Sequence, residues 1–464
     1  MSDTVLLTAA VVGDSIAFDF GGLLKPIKGI PITGRETPVL SIASRLARRT
    51  PFFYGWVVLF AASASQFSSN AAASLTISAF MYPMSQDLGW SRTLIAGAAS
   101  MGGLMASLAS PLVGWLIDRY GVRIVLSVSI FVLGLAIISV SWATIPIAFY
   151  FAFGTGRLMF SSPIKIGSSV AVSQWFIKKR GRATGVLFLS HSAGMVLFPL
   201  MAAIIIQTRG WQDAWVFLGL FVWIAALAPV FFLIIRRPED VGLRPDGDAA
   251  ADVDTPAEGT VQKGPVWTLS EAMRTPTLWL LALAAGFLFM VQAGTNVHIA
   301  AYFRDQGLSA TVAASALSLI AVFTGIGSLM WGRIIEKFPV RYVFATVALF
   351  MSASSMLFLT TDTAVEALLY SSLFGMSIGG ILVVPPVAFA NYFGRRSLGA
   401  IRGVTEPFAS LGQAFGVLLS GVVFDATGSY QIAFLTFATF GAATIVIMLL
   451  TKPPRHISAN VGVP

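Results

Sequence analysis

Two cations stand where a cation is costly. Arg157 and Lys165 lie eight positions apart inside 145–173, an otherwise apolar run long enough to cross a membrane. A charge at the bilayer centre costs ~2.5–3.5 kcal/mol on insertion scales, so the two together would cost roughly 5–7 kcal/mol if they faced lipid. At 100° per residue they are about 80° apart round a helix, and they share that side with Gly154, Ser161 and Ser168. A polar strip with two positive charges and no acid in its own span suits a water-filled cavity that attracts an anion. Arg157 offers a planar fork matched to a carboxylate, and Lys165 offers a point charge. The competing account is structural: acids from other helices pair with the two cations, or Lys165 snorkels to the interface.

Other polar groups inside apolar runs are few. Span 1 carries Gln66, Ser69 and Asn70; span 7, its equivalent later in the chain, carries Gln292, Asn296 and His298. Gln66, Asn70, Asn296 and His298 are candidate substrate contacts, with interhelical hydrogen bonding as the alternative. His191 in span 5 and His298 can titrate near neutral pH, so either can carry a coupled proton, although a lone buried histidine is more often a neutral hydrogen-bonding residue. Glu406, before Pro407 at the start of span 11, lies near one end and suits gating better than proton transfer. The chain has no cysteine and three widely separated histidines, which argues against a metal centre. It also lacks a phosphate-cradling Gly-rich loop with lysine and a nucleophile elbow. A pump and an enzyme are both disfavoured, and no cofactor is expected.

The elements that must position these groups are set by composition. The chain is 56% hydrophobic and 11% charged, with mean hydropathy +0.81; soluble domains carry about 25% charged residues. Lipid is therefore the expected solvent, and the fold class an all-α membrane protein. Twelve stretches reach the ~20 residues a span needs: 54–80, 93–117, 122–142, 145–173, 182–206, 212–236, then 276–300, 309–334, 340–360, 363–391, 401–424 and 429–451. Of 30 Lys and Arg, only Arg92, Arg209 and Arg304 fall in loops on one side, and only Arg157 and Lys165 lie inside spans away from their ends. That bias places both termini in the cytoplasm, of a cell (inner) membrane. It also accounts for the net charge of +9 without nucleic acid as a partner. Residues 1–50 read as a tail; Leu6–Val12 is too short to span and has no basic region before it, unlike a signal peptide. Residues 237–275 have a linker composition, with Trp267–Arg274 as a possible short surface helix. The domains expected are a tail 1–50, a six-helix bundle 51–236, a linker 237–275, a second bundle 276–452 and a tail 453–464.

The halves are copies. Gly114–Arg123 reads Gly-Trp-Leu-Ile-Asp-Arg-Tyr-Gly-Val-Arg, and Gly332–Arg341, 218 residues later, reads Gly-Arg-Ile-Ile-Glu-Lys-Phe-Pro-Val-Arg. Self-similarity of that size means two copies of one large unit. Two pseudo-symmetric six-helix halves joined by a cytoplasmic linker resemble the major facilitator superfamily, and Gly114-x-x-x-Asp118-Arg119-x-Gly121-x-Arg123 matches its signature loop between helices 2 and 3. Trp175-Phe176-x-Lys178-Lys179-Arg180-x-x-Ala183-x-Gly185, with Ala193-Gly194, resembles the loop into helix 5 of monocarboxylate-transporter-like proteins. Tyr54–Val58, Gly89–Arg92 and Asp425-x-x-Gly428-Ser429-Tyr430 are similar to the bacterial branch of that group. One departure is plain: the animal members carry an Asp/Arg pair in helix 8, whereas Ala316–Met330 has no charge.

The resemblance implies that the halves rock about a central site to give alternating access. It also implies that Asp118, Arg119 and Arg123 form an inter-helix charge cluster that holds one state, with Glu336, Lys337 and Arg341 as the second copy. Gly114, Gly121 and Gly332 belong to these loops, and Pro339 stiffens the second turn. Gly181/Gly185, Gly375/Gly379 and Gly412/Gly416 are expected to serve close helix packing. The function expected is proton symport of a small organic anion, a monocarboxylate, by a monomer in the lipid bilayer. The alternatives are an anion exchanger without a proton, an exporter of larger amphipathic compounds, and a non-transporting sensor.

Overall fold

The computed structural model describes residues 38–247 and 267–454; Leu6–Val12, the middle of the polar segment and the last ten residues lie outside them. Among the described residues, ten helices are long and apolar enough to cross a membrane. Two interrupted helices bring the number of spans to twelve. Span α1 has two limbs, Gly55–Ser68 and Ser74–Leu88, joined by a 3-10 turn Ser69–Ala72. Next come α2 (Arg92–Tyr120) and α3 (Val122–Val140). Span α4 joins Pro146–Met159 to Lys165–Trp175 through a π turn at Phe160–Ile164. Then follow α5 (Arg180–Arg209) and α6 (Trp211–Leu233). The second half contains α7 (Pro276–Asp305), α8 (Ala310–Lys337), α9 (Val340–Phe358), α10 (Ala364–Phe393), α11 (Leu398–Thr427) and α12 (Gln431–Leu450).

Local signals set the helix starts. Ser91 caps α2 by accepting from the Leu94 N–H, and Ser309 caps α8 by accepting from the Val312 N–H, each at 3.2 Å; the two serines are one repeat apart. Thr363 and Glu366 form a capping box on α10. The two signature loops turn differently. Gly121 sits at φ 88°, which proline cannot adopt, whereas Pro339 sits at φ −57°. Large apolar side chains such as Leu108, Phe151 and Ile224 point outward, as expected for a bundle solvated by lipid.

Two structured pieces stand where only tail and linker were expected. Pro38–Arg49 is a helix that packs its Ala43 and Ala47 face inward. The segment after α6 is also ordered: the Asp246 carboxylate, 5% exposed, accepts from the backbone N–H of Ile177, Lys178 and Lys179 at 2.8–3.0 Å. Leu269–Met273 is a short helix with Thr268 and Glu271 as its capping box.

The halves meet at the end of the bundle that carries Arg49 and Thr451, hereafter the base. There α2 crosses α11 and α5 crosses α8 through glycines. A methyl added at Gly114 would collide with the Gly399 carbonyl, and one added at Gly181 with the Gly332 carbonyl. Gly375/Gly379 pack α10 on α8, and Gly412/Gly416 pack α11 on α7. Among the described residues, the hydrogen bonds and ion pairs that join the halves all lie on the base side, so the bundle is closed at that end.

Candidate functional site

The break in α1 organises the polar groups of the first half. Ser69 Oγ and Asn70 Nδ2 both donate to the Gln66 carbonyl, and Thr76 Oγ1 donates to the Asn70 carbonyl at 2.6 Å. Such short-range side-chain bonds compete with the helical ladder, and the chain leaves the helix at Ala73, whose ψ is 155°. Carbonyls freed by the break become acceptors. Arg157 Nη1 donates to the Ala72 carbonyl at a long 3.4 Å. The Asn70 amide donates to the His191 carbonyl at 3.2 Å and lies 3.3 Å from His191 Nδ1. The carbonyls of Gln66, Phe67 and His191 all face that amide nitrogen, which assigns it as the NH2 of Asn70.

Arg157 is not neutralised. No described carboxylate lies within ion-pair distance of it, its guanidinium carbon lies 4.7 Å from the Phe160 ring centroid, and its Nε has no partner. Among the described residues, Gln66 Nε2 and Asn70 Oδ1 are likewise buried without protein partners. Ser161 is partly open, and no protein hydrogen bond is found for its hydroxyl among the described residues. Buried polar groups are normally partnered, so these atoms and the Arg157 guanidinium are the polar groups of this region with capacity to spare among the described residues.

Lys165 differs from Arg157. Its ammonium forms an ion pair with Glu406 of α11, which is 3% exposed and also accepts from Arg402 at 2.9 Å on the same helix. The ammonium also sits 4.9 Å from the Phe289 ring of α7. Among the described residues, the alternative in which acids from other helices pair with these cations therefore holds for Lys165 and not for Arg157. The π turn changes the angular reading too. Pro163 cannot donate into the ladder and its ring crowds the preceding turn, and the helix widens around it. A π turn takes up one extra residue, which removes about 100° and brings Lys165 to within about 20° of Arg157. With a 1.5 Å rise, Arg157 lies ~16 Å from the Pro146 end and Lys165 ~15 Å from the Trp175 end, so the two straddle the middle of the span.

The second-half candidates do not join this group. His298 Nδ1 lies 3.3 Å from Tyr430 Oη and its Nε2 donates to the Val417 carbonyl at 3.3 Å, packing α7 against α11 and the start of α12. Asn296 is half-buried on the same helix, and no hydrogen bond from it to the first-half cluster is found among the described residues.

The residues expected to gate form a symmetric arrangement that differs from the acid–base cluster expected. Asp118 accepts from the Gly399 and Ala400 N–H groups at 3.0 and 2.7 Å, placing its charge on the N-terminus of α11. Glu336 does the same at α5, accepting from the Arg182 N–H at 2.8 Å and from its guanidinium at 2.6 Å. Each acid thus caps a helix of the opposite half, where the macrodipole favours negative charge. The neighbouring bases act elsewhere. Arg119 lies over Trp115 and Tyr120, Arg123 donates to the Phe231 carbonyl, and Arg341 donates to Tyr342 Oη; no partner is found for Lys337 among the described residues.

Several residues of the base were not singled out from sequence. Arg402 stands at the very edge of a span read as 401–424, where a base counts as interfacial, but the helix starts at Leu398 and buries it; its i, i+4 spacing to Glu406 was the available signal. Gln174 exchanges hydrogen bonds with the Arg395 backbone and guanidinium, and Arg180 donates to Asn391. These contacts form a second symmetric tier across the halves.

The profile of the Major Facilitator Superfamily matches residues 58–406 and, overlapping, 281–464. An uncharacterized MFS-type transporter of Bacillus subtilis (strain 168), YcxA, is 22% identical over 386 residues, covering 80% of this chain and 89% of its own length. The oxalate:formate antiporter of Oxalobacter formigenes is 23% identical over 396 residues, 81% of this chain and 87% of its own. The crystal structure of the human organic anion transporter MFSD10 (TETRAN) shares the fold at TM-score 0.65 and 14% identity, over 89% of this chain and all of that one.

Proposed function

We propose a cargo and a mechanism from one premise: this chain belongs to the major facilitator superfamily and is a multi-pass secondary transporter, not an enzyme. The cargo is a small organic anion, a monocarboxylate first, bound at Arg157 between the halves and carried by alternating access. One observation carries this reading. Arg157 lies mid-span with a buried, unpartnered Nε and no described carboxylate beside it, at the point where α1 breaks. Non-helical backbone at membrane depth persists where it is buried in protein or lines a cavity, and interrupted helices supply the sites of many carriers. A carboxylate there would take the guanidinium fork, with Gln66 Nε2 and the Ser161 hydroxyl as neutral donors. The family relationship to an oxalate:formate antiporter fits an anionic cargo.

The loop bases support cytoplasmic termini, which makes the base a closed cytoplasmic gate. The two bundles, 51–236 and 276–452, then rock about Arg157. His191, held by Asn70 beside the site, is the residue through which a proton would be coupled. Exchange without a proton is the second reading, favoured by that same antiporter; carboxylate counterflow in proteoliposomes with no pH gradient separates the two. The deciding test of the site is Arg157→Gln, which is expected to abolish carboxylate uptake while insertion and monodispersity stay unchanged. Wild-type uptake by that variant would remove α4 from the binding site.

A further inference from the structure

The ion pair between Lys165 and Glu406 ties α4 of one half to α11 of the other, and it is built asymmetrically. The Glu406 side chain is 3% exposed and that of Arg402 7%, but Lys165 keeps 20%. Lys165 is the accessible member. It stands two turns below Arg157 on nearly the same line of α4, with the unpartnered Ser161 between them. A carboxylate drawn in by Arg157 therefore meets the open side of an ammonium that already holds a carboxylate.

Breaking a buried pair by removing one partner is ordinarily costly, because it strands a charge. Here the stranded charge would be Glu406, and Arg402 answers it at 2.9 Å from one turn away on the same helix. Lys165 can leave without orphaning Glu406, and the ammonium can leave for another carboxylate without losing a counter-charge.

We propose that Glu406 is a resident competitor for the transported anion. The cargo's carboxylate displaces it from Lys165, which loads the site and in the same step undoes the α4–α11 tie between the halves. The proposal rests on the anion reading above and deepens it. Glu406 is then a specificity-determining and positioning residue: only a cargo with an anionic group able to replace a carboxylate releases the tie, and neutral solutes leave it closed. No bond is made or broken beyond the exchange of ionic partners.

The test measures binding by the purified full chain of formate, acetate, lactate, oxalate and succinate, using thermal shift and calorimetry. Glu406→Gln keeps the shape and removes the competing charge. It is expected to bind at least one of these acids about tenfold more tightly than the parent, the factor given by 1.4 kcal/mol of relieved competition, while net transport falls. Lys165→Gln is expected to weaken binding, and in that background the gain from Glu406→Gln should vanish; a purely structural strut would instead couple the two residues in stability and give no gain in affinity in Glu406→Gln. Binding that is unchanged or weaker in Glu406→Gln, with Arg157→Gln still abolishing it, overturns the competition and leaves the anion site standing. Binding of none of the five acids by any variant overturns both.

Discussion

Asp118→Asn tests the gate most directly. The Asp118 carboxylate receives two backbone N–H groups, from Gly399 and Ala400, and sits on the N-terminal dipole of α11. Hydrogen bonds to a charged group contribute about 1.5–3 kcal/mol each, and the dipole up to ~2 kcal/mol in a partly buried site. Asparagine keeps one oxygen, so one bond survives. It loses the charge, and its NH2 group faces an N–H that needs an acceptor. The net weakening of the closed base is about 2–3 kcal/mol, or roughly 30- to 150-fold in the ratio of open to closed molecules at 1.4 kcal/mol per decade. The chain has no cysteine, so Ile177→Cys in one half and Arg396→Cys in the other can carry spin labels without background. Both positions are exposed at the base. Double electron–electron resonance should show one short distance in the parent and a second, longer population in Asp118→Asn. Glu336→Gln should shift the same distribution by less, since its partner Arg182 is 51% exposed and such pairs contribute about 0–1 kcal/mol. Identical distributions in the parent and Asp118→Asn would refute the view that this carboxylate holds the base shut.

Two further outcomes follow from the packing. Gly403→Val puts a branched side chain against the Ser110 carbonyl, where even a methyl collides; the same spin-label pair should report separation of the halves, and uptake should fall at least tenfold, about 1.4 kcal/mol. Asp246→Ala removes the acceptor of three backbone N–H groups and should cost about 1–3 kcal/mol, read as a lower melting temperature in detergent, while carboxylate affinity is retained.

Much of this protein is legible in its sequence for a definite reason: hydropathy, helix caps and internal repetition are properties of neighbouring residues. Twelve apolar runs, the loop bases and the repeat centred on Asp118 and Glu336 need no knowledge of contacts, and a cation inside an apolar run signals its own cost wherever it folds. Where the structure adds most, the deciding partner is remote along the chain. Asp118 meets Gly399 across 281 residues, so sequence could propose a charge cluster but could not show that each acid caps a helix of the other half. Lys165 and Arg157 look equivalent in one span; packing alone gives Lys165 the carboxylate of Glu406 and leaves Arg157 without one. The break in α1 has no proline to announce it, because it comes from Ser69, Asn70 and Thr76 competing for carbonyls, a contest that is resolved only once α4 and α5 pack against the freed backbone. Composition therefore determined the solvent, the number of spans and the two-fold plan. Tertiary contact decided which of two mid-span cations stayed without a carboxylate among the described residues, because pairing depends on which helices touch.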